Sequence, residues 1–486
     1  MKKILLILLS VALFSCDDYL DVNTDPNNPS EVSTALVLPS AQNFIATRLG
    51  GNIFNYTGFY AQYWDQAVVA NQYNEIAENR IKFDFFNNDY RYLYAGALAD
   101  LNVALKQSEE QEAWGDHFVA TVLRAYTYQM LVDLMDQAPY TEALQGSTIP
   151  MPKWDEGSAI YAGIITEIDN ALAKVNSSTT ITADLMLNRD IKQWIGFAKA
   201  LKLKLYMRSS FAQDNKAQIM ALINDNNFFT GDITFAAYAN ESGKRNPWYE
   251  TNTIGLGTVN NIASFPIITY LKRTSDPRMA KLFSKSENKN DYLGLIPGSK
   301  TEMPSGVTTK DFSFPVMGAT QPVYFFTQSE LQFFIAEAQL RFGNNDAAAK
   351  AAYEAAIDAN FSLRGVSGAS DVYGAGKRAE WASATSAEGK LELIGLQKWV
   401  ALCMVNHFEA WAELRRLGYP QVSSLAASAV YADETKYTEG QLIRPWVNQL
   451  GTEMIQRVLF PEVAVNLNDN TPEQAGLSAK IWWDKK

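Results

Sequence analysis

The sequence predicts an all-α-dominated fold interrupted by a loop-rich insertion at about residues 227–325, and three patterns carry that expectation. Apolar residues recur at spacings of three and four from Thr34 to about Ile223, the mark of helices that bury one face. The recurrence then fades through a stretch rich in Gly, Pro, Asn and Ser. It returns at Leu331 and runs through a hairpin closed by Gly343-Asn344-Asn345.

The first segment, residues 1–15, reads as a signal peptide: Lys2 and Lys3 precede an apolar run from Ile4 to Phe14. The run falls short of the roughly 20 residues a bilayer-spanning helix needs. It ends in Leu13-Phe14-Ser15-Cys16, close to a bacterial lipobox, with Cys16 as the acylated residue and Phe14 as its one unusual position. Residues 16–33 read as a flexible tether, because the Asp, Asn and Pro of DDYLDVNTDPNNPSE capture the backbone in turns. The alternation Asp21, Asn23, Asp25 does not make a calcium loop: Pro26 stands where the loop needs Gly, and no Glu closes it.

Residues 34–486 read as one helical domain carrying the insertion. Helical stripes run Phe118, Val122, Tyr126, Met130, Leu134, then Ile160, Ile164, Ile168, Leu172, Val175, then Ile191, Trp194, Ile195, Ala198, Leu201, Leu205. Inside the insertion only Ile262 to Leu271 and Pro277 to Phe283 look helical. After it, Leu331, Phe334, Ile335, Ala338 and Phe342 form one helix of the hairpin. Ala349, Tyr353 and Ala356 form the other, with the small-residue and Tyr spacing of a tetratricopeptide unit. A last long helix covers roughly Ala387 to Arg416.

Composition narrows the function. The chain is 47% hydrophobic, enough for a substantial core, and carries a net charge of −11 with scattered basic residues, so a nucleic-acid backbone would be repelled. Cys403 is the second of two cysteines; with Cys16 acylated, no internal disulfide is possible. Two histidines, His117 and His407, leave little room for a metal centre. Cys403 and His407 are one helical turn apart, but two ligands fall short of a zinc site and no HExxH or paired CxxC is present. Signatures for acyl, phosphoryl and hydride transfer are also missing, so no cofactor and no metal are expected, but a missing motif does not exclude activity. A hydrolase with two facing carboxylates stays open, because their spacing is a three-dimensional fact.

The aromatic residues are the better guide. With 11 Trp and 23 Tyr, the chain holds more rings than core filling usually requires. Tyr56, Tyr60, Tyr63, Trp64 and Tyr73 are interleaved with Asn55, Gln62, Gln66, Asn71 and Asn74. Flat rings suit the apolar faces of a sugar and amides its hydroxyls; they suit a peptide equally well. Tyr56, Tyr60 and Trp64, spaced by four, also fit a helix's core stripe. A second cluster, Asn246, Trp248 and Tyr249, lies in the insertion, where a loop setting leads us to expect an exposed Trp248 whose loss would weaken binding and barely move stability. The candidate ligand platform is therefore Trp248, Tyr249, Tyr63, Trp64 and Tyr73, with Asn246 as polar partner.

Several stretches carry a family resemblance across essentially the whole chain. The start CDDYLDVNTDPNNP, the segment HFVATVLRAYTYQMLVDLMDQAPYTEAL (His117 to Leu144), then WIGFAKALKLKLYMRSS, SDPRMAKLF and TQSELQFFIAEAQLRFG, follow in the order of the SusD/RagB family of Bacteroidetes. The terminal RVLFPEVAVNLND keeps Arg457, Phe460, Pro461 and Asn468 but has Val463 and Ala464 where a Ser-Glu pair is usual. The resemblance implies tetratricopeptide-like helix pairs with a loop-rich ligand-binding face. It also implies a lipid-anchored, non-catalytic nutrient-binding protein on the outer-membrane surface, passing an oligosaccharide or peptide to a SusC-like TonB-dependent transporter. The alternatives are a surface glycan hydrolase or a protein-binding helical-repeat scaffold.

Overall fold

The computed structural model describes residues 33–486; the expected signal peptide, Cys16 and nearly all of the expected tether lie outside them. The described chain opens with α1 (Thr34–Leu49) and α2 (Asn52–Tyr60), then runs through α3 (Ala99–Glu110), α4 (Trp114–Met135), α5 (Gly157–Leu172), α6 (Ile191–Ser209) and α7 (Lys216–Asp225). The sequence stripes are the faces that meet. Phe118, Val122, Tyr126, Met130 and Leu134 of α4 and Ile160, Ile164 and Ile168 of α5 are all shut off from solvent. In turn α3 packs on α4, α4 on α5 and α5 on α6. Helix α4 is enclosed on nearly every side, so its polar Thr127, Gln129 and Asp133 are buried too.

Beyond α8 (Phe265–Arg273), the hairpin predicted after the insertion is α9 (Gln328–Ala338) and α10 (Asp346–Arg364), closed by Asn344 in the left-handed region. Ala349, Tyr353 and Ala356 all face inward, and the Tyr353 hydroxyl donates to the Ala379 carbonyl at 2.9 Å, so the ring plugs the gap that the small residues open.

The expected last helix is two, α11 (Ala387–Leu402) and α12 (His407–Leu417). Met404 has φ +55°, which a continuous helix forbids. Asn406 then caps α12, its side chain accepting from the Glu409 N–H at 3.0 Å.

The insertion leaves and rejoins the helices at one small ladder. Strands β1 (Trp64–Gln66), β2 (Ile233–Phe235), β3 (Asn261–Ala263) and β4 (Val323–Phe326) form two antiparallel pairs, β2 with β4 and β1 with β3. The first brings the two ends of the insertion together. The second ties its middle to the segment after α2, pairing Trp64 with Ala263 and Gln66 with Asn261.

Charge runs through the helical interior in a way the sequence did not announce. Asp133 of α4, Lys204 and Arg208 of α6, Glu330 and Glu337 of α9, Lys398 of α11 and Glu409, Glu413 and Arg416 of α12 are all buried and joined by ion pairs. Each pair crosses between helices or braces one that does, so the network fixes how five helices register.

Candidate ligand-binding site

Asn246 and Pro247 begin a short helical turn, Pro247–Tyr249, which continues as a wider turn over Glu250–Gly255. The Asn246 side-chain oxygen accepts from the N–H groups of Trp248 and Tyr249, both at 3.1 Å, and Pro247 supplies a preset φ at the first helical position. Asn246 is thus a helix cap, 1% exposed, rather than a ligand partner. An Asn-Pro pair was the available signal for this turn, and a loop reading passes over it.

The turn drives Trp248 inward. Its ring stacks on Trp64 with centroids 5.2 Å apart and planes 19° from parallel, and its Nε1 donates to Asn55 Oδ1 at 3.0 Å. Trp64 Nε1 donates to the Asn55 carbonyl at 2.9 Å. Gly58 makes room for this packing: a Cβ there would stand 2.5 Å from the Trp64 ring and 2.6 Å from His407 Nδ1. Trp248 is 4% exposed and Trp64 1%, so the expectation of a solvent-facing Trp248 is corrected: a cap and a paired indole N–H put the ring in the core. Tyr63 is also buried, stacked on Trp399 and donating to its carbonyl at 2.5 Å. Protein encloses Tyr63, Trp64 and Asn246, which support the site from beneath as its floor, and Trp248, though mostly buried, borders the same cavity as Tyr249.

Tyr249 and Tyr73 remain half-buried, on either side of the same turn. Tyr249 lines a cavity of about 520 Å³ with Val69, Val259, Asn261, Phe314 and Met317. Val69 and Val259 are 64% and 45% exposed, an apolar rim of the kind that marks binding surfaces. Tyr73 lines a more polar cavity of about 480 Å³ between α1, α2 and the turn. Asn252 borders both cavities, accepting from the Tyr73 hydroxyl at 2.5 Å and donating to the Trp248 carbonyl at 3.1 Å. Val69 and Val259 were not legible as site residues, because the β1–β3 pairing brings them together, and Asn252 and Phe314 join them in the cavity from the 250–255 turn and from a separate segment.

Cys403 and His407, one turn apart in sequence, do not share a metal geometry. His407 is buried and neutral, with Nε2 accepting from the Met404 N–H at 2.8 Å and Nδ1 donating to the Phe54 carbonyl at 3.1 Å, so neither nitrogen has a lone pair to offer. Burial holds its pKa well below the usual value and pushes the Cys403 thiol up. Among the described residues no group of three or more His, Cys, Asp or Glu is placed to hold a metal.

Asp65, on β1 behind the floor, gives the region a pH signature. Burial pushes its carboxyl from 3.8 up to about 7, against the opposing pull of the Gly298 and Gln66 N–H groups and the Lys300 cation. The folded state therefore binds this proton more tightly than the unfolded chain, so the contribution to stability falls as pH rises from about 4 to about 7 and is level above. Asp65→Asn should flatten that fall, by at most about 4 kcal/mol. Unfolding of parent and variant compared at pH 4.5 and 7.5 tests it; identical slopes would refute the assignment.

Residues 26–437 match a SusD-like family model described as starch-binding and associating with the outer membrane. Solved structures share the fold. A chitin-binding protein superposes with TM-score 0.74 at 21% identity, over 93% of this chain and 100% of that one. A chitin-binding SusD homologue from Flavobacterium johnsoniae gives 0.74 at 19%, over 92% and 98%. A SusD homologue from Bacteroides vulgatus gives 0.73 at 19%, over 92% and 98%. No curated protein matches the sequence.

Proposed function

The chain belongs to the SusD-like family, and from that premise we propose that it is a surface glycan-binding protein holding an oligosaccharide against Tyr249 and passing it to a SusC-like TonB-dependent transporter. The observation that carries this reading is the Tyr249 cavity itself. An accessible ring and an exposed apolar rim stand beside Asn252, Asn260 and Asn261, the pairing of flat apolar surface with amides that a pyranose needs. Binding is favoured over hydrolysis because, among the described residues, Glu287 is the single carboxylate bordering that cavity, whereas two are needed to cleave a glycosidic bond by acid–base or nucleophilic chemistry. The names of the chitin-binding neighbours point the same way.

Tyr249→Ala should weaken oligosaccharide binding by about 1–3 kcal/mol, roughly tenfold or more, while the melting temperature holds. Titration calorimetry with parent and variant reads this directly; unchanged affinity would place the site elsewhere. A peptide ligand is the competing occupant, and a preference for peptides over sugars in the same titration would replace the glycan reading.

Anchoring belongs to the same proposal. Acyl chains on Cys16 would hold the protein at the outer membrane, since each buried CH₂ contributes about 0.8 kcal/mol and two or more chains bind stably where one does not. Asp17 and Asp18 resemble the acidic export signal that sends such lipoproteins to the outer face. Cys16→Ala should release the protein into the soluble fraction. Full retention on membranes after a high-salt wash would overturn the anchor.

A further inference from the structure

Three residues that line the polar cavity on the far side of the 247–255 turn each carry a buried donor without a protein partner. Among the described residues, Asn55 Nδ2, Arg48 Nε and Tyr238 Oη are buried atoms without a hydrogen-bond partner, and all three residues line this one cavity. Asn55 is 2% exposed and held fast: its Oδ1 already accepts from Trp248 and from Asn261, and its carbonyl from Trp64. Its Nδ2 is therefore fixed and cannot turn away to find another acceptor. Native interiors rarely leave such donors unpaired, and a ligand that brings an acceptor gains what the protein forgoes in its absence.

The charges tell which acceptor. Arg48 is paired with Asp89 at 3.5 Å, Arg245 with Glu250 at 2.9 Å and Lys244 with Glu241 at 2.8 Å, so each cation at the cavity already has its carboxylate. An incoming carboxylate would be stripped of water with no spare cation to receive it, in a protein of net charge −11. A neutral carbonyl loses far less on burial and is what N–H and O–H donors receive best. We propose that this cavity is an acyl-reading subsite, taking the acetamido carbonyl of an N-acetylated sugar within the oligosaccharide that the adjoining cavity holds. This rests on the glycan-binding reading above and adds the substituent that is recognised. Asn252, which borders both cavities, and Asn261, which joins the Tyr249 side to Asn55 at 3.0 Å, link the two halves.

Four probes separate the possibilities: methyl β-glucoside, its N-acetylglucosaminide and glucuronide counterparts, and N-acetylalanine methylamide, each titrated into the parent, Tyr238→Phe, Arg48→Lys and Tyr249→Ala. Tyr238→Phe removes only the unpaired hydroxyl and keeps the ring on Phe235, while Arg48→Lys keeps a cation for Asp89 but removes Nε. The acetylated sugar should bind the parent about tenfold tighter than the plain glucoside, as expected of donors satisfied at once. Tyr238→Phe and Arg48→Lys should each shrink that ratio several-fold at unchanged melting temperature. Tyr249→Ala should weaken both sugars and preserve the ratio. Equal binding of plain and acetylated sugars, with Tyr249 still required, would overturn the acyl reading and leave the glycan reading standing. Tightest binding by the glucuronide, peptide amide binding as well as the sugar, a ratio untouched by Tyr238→Phe, or no probe bound at all would each overturn it.

Discussion

Trp248→Ala is expected to destabilise the protein by about 3–5 kcal/mol, the range for deleting a fully buried aromatic. Three losses combine at this position. The ring leaves a void under the site, Trp64 loses its stacking partner 5.2 Å away, and Asn55 Oδ1 loses one of its two donors. Trp248→Phe separates these effects, keeping most of the packing and losing the N–H bond, and should cost less. Chemical or thermal unfolding measures both. An alanine variant as stable as the parent, with binding alone reduced, would mean that the ring is free as the loop reading supposed. Because the floor collapses, ligand binding should fall with stability, which is why Tyr249 and not Trp248 is the informative binding variant.

Arg416→Ala should cost as much or more. One guanidinium serves two buried carboxylates, reaching Glu337 through Nη1 at 2.7 Å and Nη2 at 2.5 Å, and Glu413 through Nε at 2.7 Å and Nη2 at 2.6 Å. Burial by itself would raise the Glu413 carboxyl, yet Arg416 and Lys398 bring it well below the usual range. Removing one partner of a buried ion pair strands the other, typically at about 3–5 kcal/mol, and here two are left short. Arg416→Lys should rescue little, because a point charge cannot make two forked contacts. Denaturant titration of the alanine and lysine variants decides this; near-parental stability of either would show that the carboxylates find other partners or take up protons at small cost.

The helical half of the molecule was legible because amphipathic stripes announce themselves one helix at a time. Phe118 to Leu134 and Ile160 to Ile168 needed no knowledge of their partners. The break between α11 and α12 was also within reach, since Asn406 followed three residues later by Glu409 is a helix start; the apolar recurrence across it masked the signal. Two features were out of reach. Ionic residues of α6, α9 and α12 read as solvent-facing on each helix alone, and only the assembled bundle pairs them inside. The fate of Trp248 turns on Asn55, 193 residues earlier in the chain, and no local pattern carries that contact. Tyr249 keeps its place in the proposed site and Tyr73 lines the neighbouring cavity, whereas Tyr63 and Trp64 serve the core and Trp248, expected to be exposed, is mostly buried beside Tyr249.

The structure of the protein with a bound oligosaccharide tests the central claim most directly. The account predicts a sugar ring lying parallel to Tyr249 at van der Waals distance, about 4 Å, with its hydroxyls on Asn252, Asn260 or Asn261. Density for the sugar at another surface, such as the cavity beside His117 and Arg124, with the Tyr249 cavity left to solvent, would contradict it.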